Sequence, residues 1–364
     1  MQVEAAVVRE KSGAFTLELV ELDEPRPDEV LVRIVAVGVC HTDLACRDQH
    51  FPVPLPCVFG HEGAGVVEKV GSAVIKVQPG DHVVLSFRSC GTCPQCLCGK
   101  PGYCLDLYRF NFSGGRPDGS CTHRIQSEQI HGSFFSQSSF ASYALAHQTN
   151  TVKVPRDVPI ELLGPLGCGI QTGAGGVMNS LHPNAGSSIA IFGCGSVGLS
   201  AVMAAVVSGC ATIIAVDVQD SRLKLAQELG ATHTVHAGQV DAVKAIQSFT
   251  GHGVYYSLEC TGLPNVLRQA VDCLTLTGVC GLIGVAPLGV ECALDMNSIL
   301  FGRTVRGIIE GDSVPDVFIP RMIELFRQGR FPIDKLIKLY PLRAINDTVR
   351  DIERGAVVKA VLQP

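Results

Sequence analysis

Between residues 186 and 283 short apolar runs alternate with helix-length segments, and this rhythm limits the fold more than any other feature of the 364-residue chain. SSIAIFG (187–193) reads as a buried strand, 196–209 as an apolar helix and TIIAVDV (212–218) as a second strand. Asp220 or Ser221 then caps the helix SRLKLAQELG, which stops at Gly230. THTVH, a helix over 240–249, VYYSLE, a helix over 264–276 and VCGLIG continue the pattern. Repeated β–α–β units of this length predict an α/β fold with a doubly wound parallel sheet.

The first turn of that region carries a binding signature. Gly193, Gly195 and Gly198, with Val197 just before the last, form G-x-G-x-x-G after a strand and at the start of a helix. Asp217 ends the next strand, nineteen residues past Gly198. Together these are the fingerprint of a dinucleotide site. Glycines allow a tight turn and close approach of a pyrophosphate to a helix N-terminus, whose free N–H groups favour anions. The Asp217 carboxylate would accept bonds from the adenosine ribose and repel a 2′-phosphate, which selects NAD over NADP. Arg222 would flank the same ribose.

Two cysteine–histidine constellations accompany it. CGTCPQCLCGKPGYC places Cys90, Cys93, Cys96 and Cys104 at C-x2-C-x2-C-x7-C spacing. Four thiolates suit one tetrahedral Zn²⁺ with no open position, a structural site. Cys98 lies inside the cluster, but the x2–x2 rhythm is complete without it. A second set draws on Cys40 in GVCHTD, His61 in FGHEGAG and Cys168 in GPLGCGIQTG. Three protein ligands leave the fourth zinc position for water or substrate, and a chain with both sites reads as a metalloenzyme holding two zinc ions.

Composition excludes several other classes. A net charge of −5 and a pI of about 6.1 give no basic surface for nucleic acid or anionic lipid. Sixteen cysteines could suggest a disulfide scaffold, but those are small and secreted, and MQVEAAVVREKSG lacks a basic and then apolar leader. Reduced thiols in a cytoplasmic protein fit better. GLSAVMAAVVSGCATIIAV (198–216) is uncharged and almost long enough to span a bilayer. Gly209 and the β-branched run that follows divide it into helix, turn and strand, so no membrane span is expected.

The first third differs in rhythm. EVLVRIVAV (29–37), AGVVEKV (64–70) and QPGDHVVL (78–85) are β-branched runs punctuated by Gly and Pro, the pattern of a barrel or sandwich. Residues 105–145 read as a loop-rich excursion over the surface. The last fifty residues, with Pro315, Pro320, Pro332 and Pro341, leave the α/β rhythm and are expected to rejoin the first domain.

GHEGAGVVEKVGSAV, the four-cysteine lobe and GCGSVG together resemble the zinc-dependent medium-chain alcohol dehydrogenase family along essentially the whole chain. CHTDLACRDQHFPVPLP, QSSFASYAL and ELLGPLGCGIQTGAG are most similar to its bacterial aryl-alcohol branch. The resemblance implies a GroES-like, β-rich catalytic domain over 1–169 with a structural-zinc lobe at 90–104, a Rossmann domain over 170–309 and a return to the first domain over 310–364. It implies that Glu62 lies behind the catalytic zinc, that Asp43 orients His61 and that Thr42 takes the alcohol proton. His41 and Lys359 would sit near the pyrophosphate. Thr172 and the carbonyls near Ile283 and Val285 would position the nicotinamide.

The expected activity is zinc-dependent oxidation of primary, benzyl-type alcohols to aldehydes with hydride transfer to NAD⁺. Phe51 and Phe87 are the aromatic candidates for the pocket. A glutathione-dependent formaldehyde dehydrogenase is the alternative within the family. The apolar FPVPLP at 51–56 argues against it and Arg109 for it. A zinc-stabilised binding protein without activity is the alternative outside the family, and the complete open ligand set argues against that. Many relatives carry a histidine five residues after the first zinc cysteine as a proton relay. Ala45 stands there, so the proton is expected to leave through water, or through His50. A homodimer or homotetramer is expected, paired through the sheet edge near 290–310.

Overall fold

The computed structural model describes the whole chain, Met1–Pro364. Its contacts divide the chain into two units. One comprises Met1–Cys168, Val314–Glu324 and Ile333–Pro364, the other Gly169–Ser313 and Leu325–Pro332.

The second unit is built on a six-stranded parallel sheet. In spatial order its strands are His233–His236, Thr212–Asp217, Ser188–Phe192, Val254–Glu259, Leu274–Leu282 and Thr304–Gly307. The order reverses between Ser188–Phe192 and Val254–Glu259, and the crevice beyond the carboxyl ends of such strands is where doubly wound sheets bind ligands. Ile189, Ala190, Ile191 and Phe192 are buried, as a strand covered on both faces requires. The uncharged stretch at 198–216 resolves into the helix Ser196–Val207, a turn at Gly209 (φ +80°) and the strand Thr212–Asp217. No helix is long and apolar enough to cross a membrane.

Two local expectations fail here. The helix expected over 264–276 ends at Asp272, and the next strand already begins at Leu274. Thr275 is β-branched and favours that strand, whereas Thr277 (φ 61°) lies in the irregular stretch between the ladder pairs Val254–Leu274 and Tyr256–Val279. Neither Asp220 nor Ser221 caps its helix, because Gln219 is the N-cap and Asp220 the first helical residue.

The first unit contains two sheets. One orders the strands Cys57–Val58, Gln2–Val8, Thr16–Leu22, His123–Ile125 and Glu128–Ile130. The other runs Thr151–Val154, His82–Leu85, Glu62–Val70, Glu29–Gly38, Lys359–Gln363 and Ile337–Pro341. The carboxyl-terminal strand thus pairs with Glu29–Gly38, matching Val361 to Gly38. Between the sheets lies a core of Val30, Val32, Phe59, Val83, Leu85, Phe134 and Phe140 with their neighbours.

The expected surface excursion over 105–145 is corrected in its last part. Ser133–Ala141 are all buried. Hydrophobic periodicity cannot reveal such a segment, because its polar side chains are satisfied inside: Gln137 and Ser138 donate to the His61 and Val58 carbonyls, and Ser139 donates to the Gln137 side chain.

Candidate metal centres and dinucleotide site

The register of one strand pair builds the open site. Glu29–Gly38 and Glu62–Val70 run antiparallel with Gly38 opposite Glu62. Cys40, just past one strand, and His61, just before the other, therefore meet at the same end. Cys168 arrives from the short turn Gly164–Gly167, tied down by Ser86 Oγ donating to the Gly167 carbonyl at 2.6 Å. Ligand atoms of Cys40, His61, Glu62 and Cys168 all lie within 4.8 Å of one another.

Asp43 locks this geometry. The side chain is fully buried, and Oδ2 accepts the Cys40 N–H at 2.9 Å. Oδ1 accepts the Gly60 N–H at 3.1 Å and lies 2.8 Å from His61 Nδ1. In the neutral ring, with Nδ1 donating to that carboxylate, Nε2 carries the lone pair. Nε2 is buried and has no hydrogen-bond partner. An orphaned imidazole nitrogen beside two thiols is a donor set for a zinc ion, with the carboxylate partner expected behind a metal-bound histidine. The residues fit the metal.

The Glu62 carboxylate lies within 4.8 Å of the Cys40, His61 and Cys168 donor atoms. Lys359, expected at a pyrophosphate, is 2% exposed, and its Nζ contacts Glu62 at 2.7 and 2.8 Å and the Val39 carbonyl at 3.1 Å. An unpaired buried carboxylate is costly, and strand pairing delivers the amine that offsets it. A side chain at Gly38 would overlap the Glu62 carboxylate, so this arrangement needs glycine there.

Around the site, Thr42 Oγ lies 3.7 Å from Cys40 Sγ. His41 is exposed at the start of the helix His41–Arg47. Ala45 is half-buried and its carbonyl accepts the His50 N–H at 2.9 Å, while His50 itself is exposed. Phe87 belongs to the core and Phe51 packs against it. The rings on His61 belong instead to Phe135, stacked at 4.3 Å, and Phe134, edge-on at 5.5 Å. Sequence reasoning missed both, because SFFSQSS carries no motif. Arg109 is exposed and donates to the Pro117 carbonyl at 2.9 Å.

The ligand atoms of Cys90, Cys93, Cys96 and Cys104 also lie within 4.8 Å of one another, and Cys98 is exposed and outside the group. Backbone N–H groups of Thr92 and Cys93 push the Cys90 thiol down to about 6, whereas burial pushes Cys104 up to about 12. Backbone N–H groups reach these sulfurs, among them Cys90 to Cys104, and Thr92 and Cys93 to Cys90, at 3.2–3.4 Å.

In the second unit, Gly193 has φ +90°, and a side chain at Gly198 would strike the Gly193 carbonyl. At Gly195 a Cβ would meet nothing within 4 Å, which leaves open space above the N-terminus of Ser196–Val207, as a pyrophosphate needs. Val197 occupies the second position of that helix. Asp217 Oδ2 accepts the Cys194 N–H at 2.6 Å, and Oδ1 accepts those of Val218 and Gln219 at 2.8 and 2.9 Å. Arg222 Nη1 lies 4.0 Å from Asp217. Thr172 Oγ and Gln171 Nε2 donate to Glu310 at 3.4 and 3.1 Å. The Ile283 N–H donates to the Glu259 carbonyl at 2.9 Å, and Val285 is exposed. Glu259, not anticipated, is buried at the switch point and accepts the Thr261 and Gly262 N–H groups.

Comparison with known proteins agrees with this architecture. Residues 26–156 match the alcohol dehydrogenase GroES-like domain, and residues 196–328 the zinc-binding dehydrogenase family. A geraniol dehydrogenase of Castellaniella defragrans is 46% identical over the whole chain and 98% of its own length. An alcohol dehydrogenase zinc-binding domain protein of Burkholderia ambifaria superposes with a TM-score of 0.98 at 54% identity, covering 100% of this chain and 99% of its own. Benzyl alcohol dehydrogenase of Acinetobacter calcoaceticus does so with 0.97 at 47%, with the same coverage. The chain belongs to the zinc-dependent medium-chain alcohol dehydrogenase family. Its coarse activity follows: it is a zinc-dependent alcohol dehydrogenase, an oxidoreductase acting on a small-molecule alcohol.

Proposed function

We propose that the enzyme oxidises primary benzyl-type alcohols to aldehydes with NAD⁺ as hydride acceptor. The observation that carries the substrate class is the whole-length similarity to a geraniol and a benzyl alcohol dehydrogenase, at 46% and 47% identity, since both alcohols carry a π-system beside the carbinol carbon. The buried aromatic cluster behind the open site, Phe135 stacked on His61 with Phe112 and Phe134 edge-on at 5.1 and 5.0 Å, makes that end of the site apolar.

Cys40, His61 and Cys168 would hold the catalytic zinc, a Lewis acid that polarises the alcohol oxygen. The nicotinamide, when bound, accepts the hydride. Asp43 selects the Nδ1–H tautomer of the neutral His61 ring, which leaves Nε2 as the nitrogen aimed at the metal position. Lys359 neutralises Glu62, so that no uncompensated negative charge remains there. Thr42, beside Cys40, takes the alcohol proton, and water fills the room left by Ala45 as its onward route. Asp217 accepts the adenosine ribose, flanked by Arg222, while Thr172 and the backbone near Ile283 and Val285 position the nicotinamide. Cys90, Cys93, Cys96 and Cys104 hold the second zinc as a structural ion.

The test is kcat/KM for benzyl alcohol, geraniol and ethanol, followed as NADH absorbance. Benzyl alcohol should exceed ethanol by at least about tenfold, or about 1.4 kcal/mol. Geraniol as much the best substrate would move the class to allylic alcohols, and ethanol as the best would overturn it. A second copy is the proposed partner. Leu276, Met296, Leu300 and Phe301 are exposed near the edge strand Thr304–Gly307, and a sedimentation mass of one chain would refute pairing there.

A further inference from the structure

Residues 133–138, SFFSQS, hold four non-glycine residues in the left-handed region: Ser133 (φ 55°), Phe135 (51°), Ser136 (51°) and Ser138 (55°). L side chains rarely adopt that backbone, and a run of them persists only where the surroundings over-determine it. Here they do. Asn150 Nδ2 donates to the Phe135 and Ser136 carbonyls at 3.2 and 3.3 Å. Ser136 Oγ donates to the Phe110 carbonyl at 2.8 Å, and Ser138 Oγ to the Val58 carbonyl at 2.6 Å. Gln137 grips the histidine's own backbone, with Nε2 donating to the His61 carbonyl at 2.9 Å and Oε1 accepting the Gly63 N–H at 3.1 Å.

The strap lays one ring on the face of the imidazole. Phe135 lies against His61 with centroids 4.3 Å apart and planes inclined 26°, at the residue whose own φ is left-handed. A right-handed turn at Phe135 would swing the ring off the imidazole, so the left-handed backbone and the stacking on His61 go together. The Asp43 bond fixes where Nδ1 points but permits the imidazole to roll about that bond. A ring flat against its face removes the roll, and Phe134 blocks an edge at 84°.

We propose that Phe135 is a positioning residue for the open metal site, its ring setting the plane of His61 so that Nε2 stays aimed at the point shared with the Cys40 and Cys168 sulfurs. This rests on the reading that those three residues hold the metal. The readout is therefore metal retention, which a change in substrate fit does not move.

The experiment uses full-length holoenzyme and a chromogenic zinc chelator. The four-cysteine zinc of the same chain serves as an internal control, and Co²⁺ replaces the open-site zinc for visible spectroscopy. Phe135→Leu removes the ring, Phe135→Tyr keeps it, and Phe135→Asn removes it with a side chain that tolerates the left-handed backbone. Phe135→Leu and Phe135→Asn should release open-site zinc about tenfold faster and alter the cobalt ligand-field bands, as loss of an outer partner of a metal ligand does. Phe135→Tyr should match the wild type, and release from the four-cysteine site should be the same in all. Wild-type release and spectrum in Phe135→Leu, whatever its activity, would overturn the proposal. So would parallel acceleration at both zinc sites, which marks a general loss of fold. His61→Ala that retains both metals would overturn the ligand reading itself, a separate result.

Discussion

Replacing Asp43 by Asn tests how the open site is assembled. The carboxylate receives three donors: the Cys40 N–H on Oδ2, and the Gly60 N–H and His61 Nδ1 on Oδ1. An amide offers one acceptor oxygen and an NH₂ group that only donates. If the oxygen keeps facing Gly60 and His61, the NH₂ opposes the Cys40 N–H across 2.9 Å, and the flipped amide opposes two donors instead. The cheaper orientation loses one charge-assisted bond, about 1.5–3 kcal/mol, and leaves a buried N–H unsatisfied. Part of the cost of burying a carboxylate is recovered. The net expectation is roughly 3 kcal/mol of lost stability. Because the bond also fixes the tautomer and direction of His61, open-site zinc affinity should fall about 10–100-fold, or about 1.4–2.7 kcal/mol. Urea denaturation with saturating zinc reads the first quantity and competition with a chelator the second. Wild-type values of both in Asp43→Asn would refute the reasoning.

The protein should carry two zinc ions per chain, and a mild bidentate chelator should remove one first, abolishing turnover while the fold survives; one zinc or none in fully active protein would exclude this. Asp217→Gly should narrow a preference for NAD⁺ over NADP⁺ of at least about a hundredfold, about 2.7 kcal/mol, by removing the carboxylate that faces a 2′-phosphate. Equal use of both cofactors by the wild type would remove the assigned role of Asp217. Burial pushes the His123 imidazole down to about 4, against about 6.5 when unfolded. Between those pH values the unfolded chain binds the extra proton, so stability should fall as pH drops, by roughly 3 kcal/mol across the window. His123→Gln should lose that slope in urea denaturation between pH 7 and 4.5, and parallel pH profiles would count against it.

What was legible in the sequence was whatever depends on spacing or period. The parallel sheet declared itself in buried runs such as Ser188–Phe192 and Thr212–Asp217, and both cysteine groups in residues whose chemistry has few other uses. What was not legible depends on contacts distant in the chain. Lys359 meets Glu62 across 297 residues, and nothing in RGAVVKAVL announces that its amine is buried. Asp43 was assigned its histidine by resemblance alone, yet its bonds to Cys40 and Gly60 follow only from the folded loop. The strap at 133–138 was misplaced on the surface because its backbone is left-handed and its polar side chains bond inward, both invisible to periodicity.

Glycine explains how so many polar groups fit into one apolar core. Side chains at Gly38 and Gly164 would strike Glu62, one at Gly63 would strike Ser139, and one at Gly60 would strike Phe140. Each bare Cα lets a second segment close on the Gly38–Glu62 strand pair: the turn before Cys168 from one side, the strap from another. That close approach is what brings Gln137 within reach of the His61 carbonyl and Phe135 onto its ring. The glycine series in FGHEGAG therefore does more than permit a turn. It sets how near the supporting residues come to the ligand histidine, and so how rigidly Nε2 is aimed. Alanine at Gly63 would act on the metal site without touching a ligand, by pressing on the side chains of Ser139 and of Gln137, which holds the His61 carbonyl.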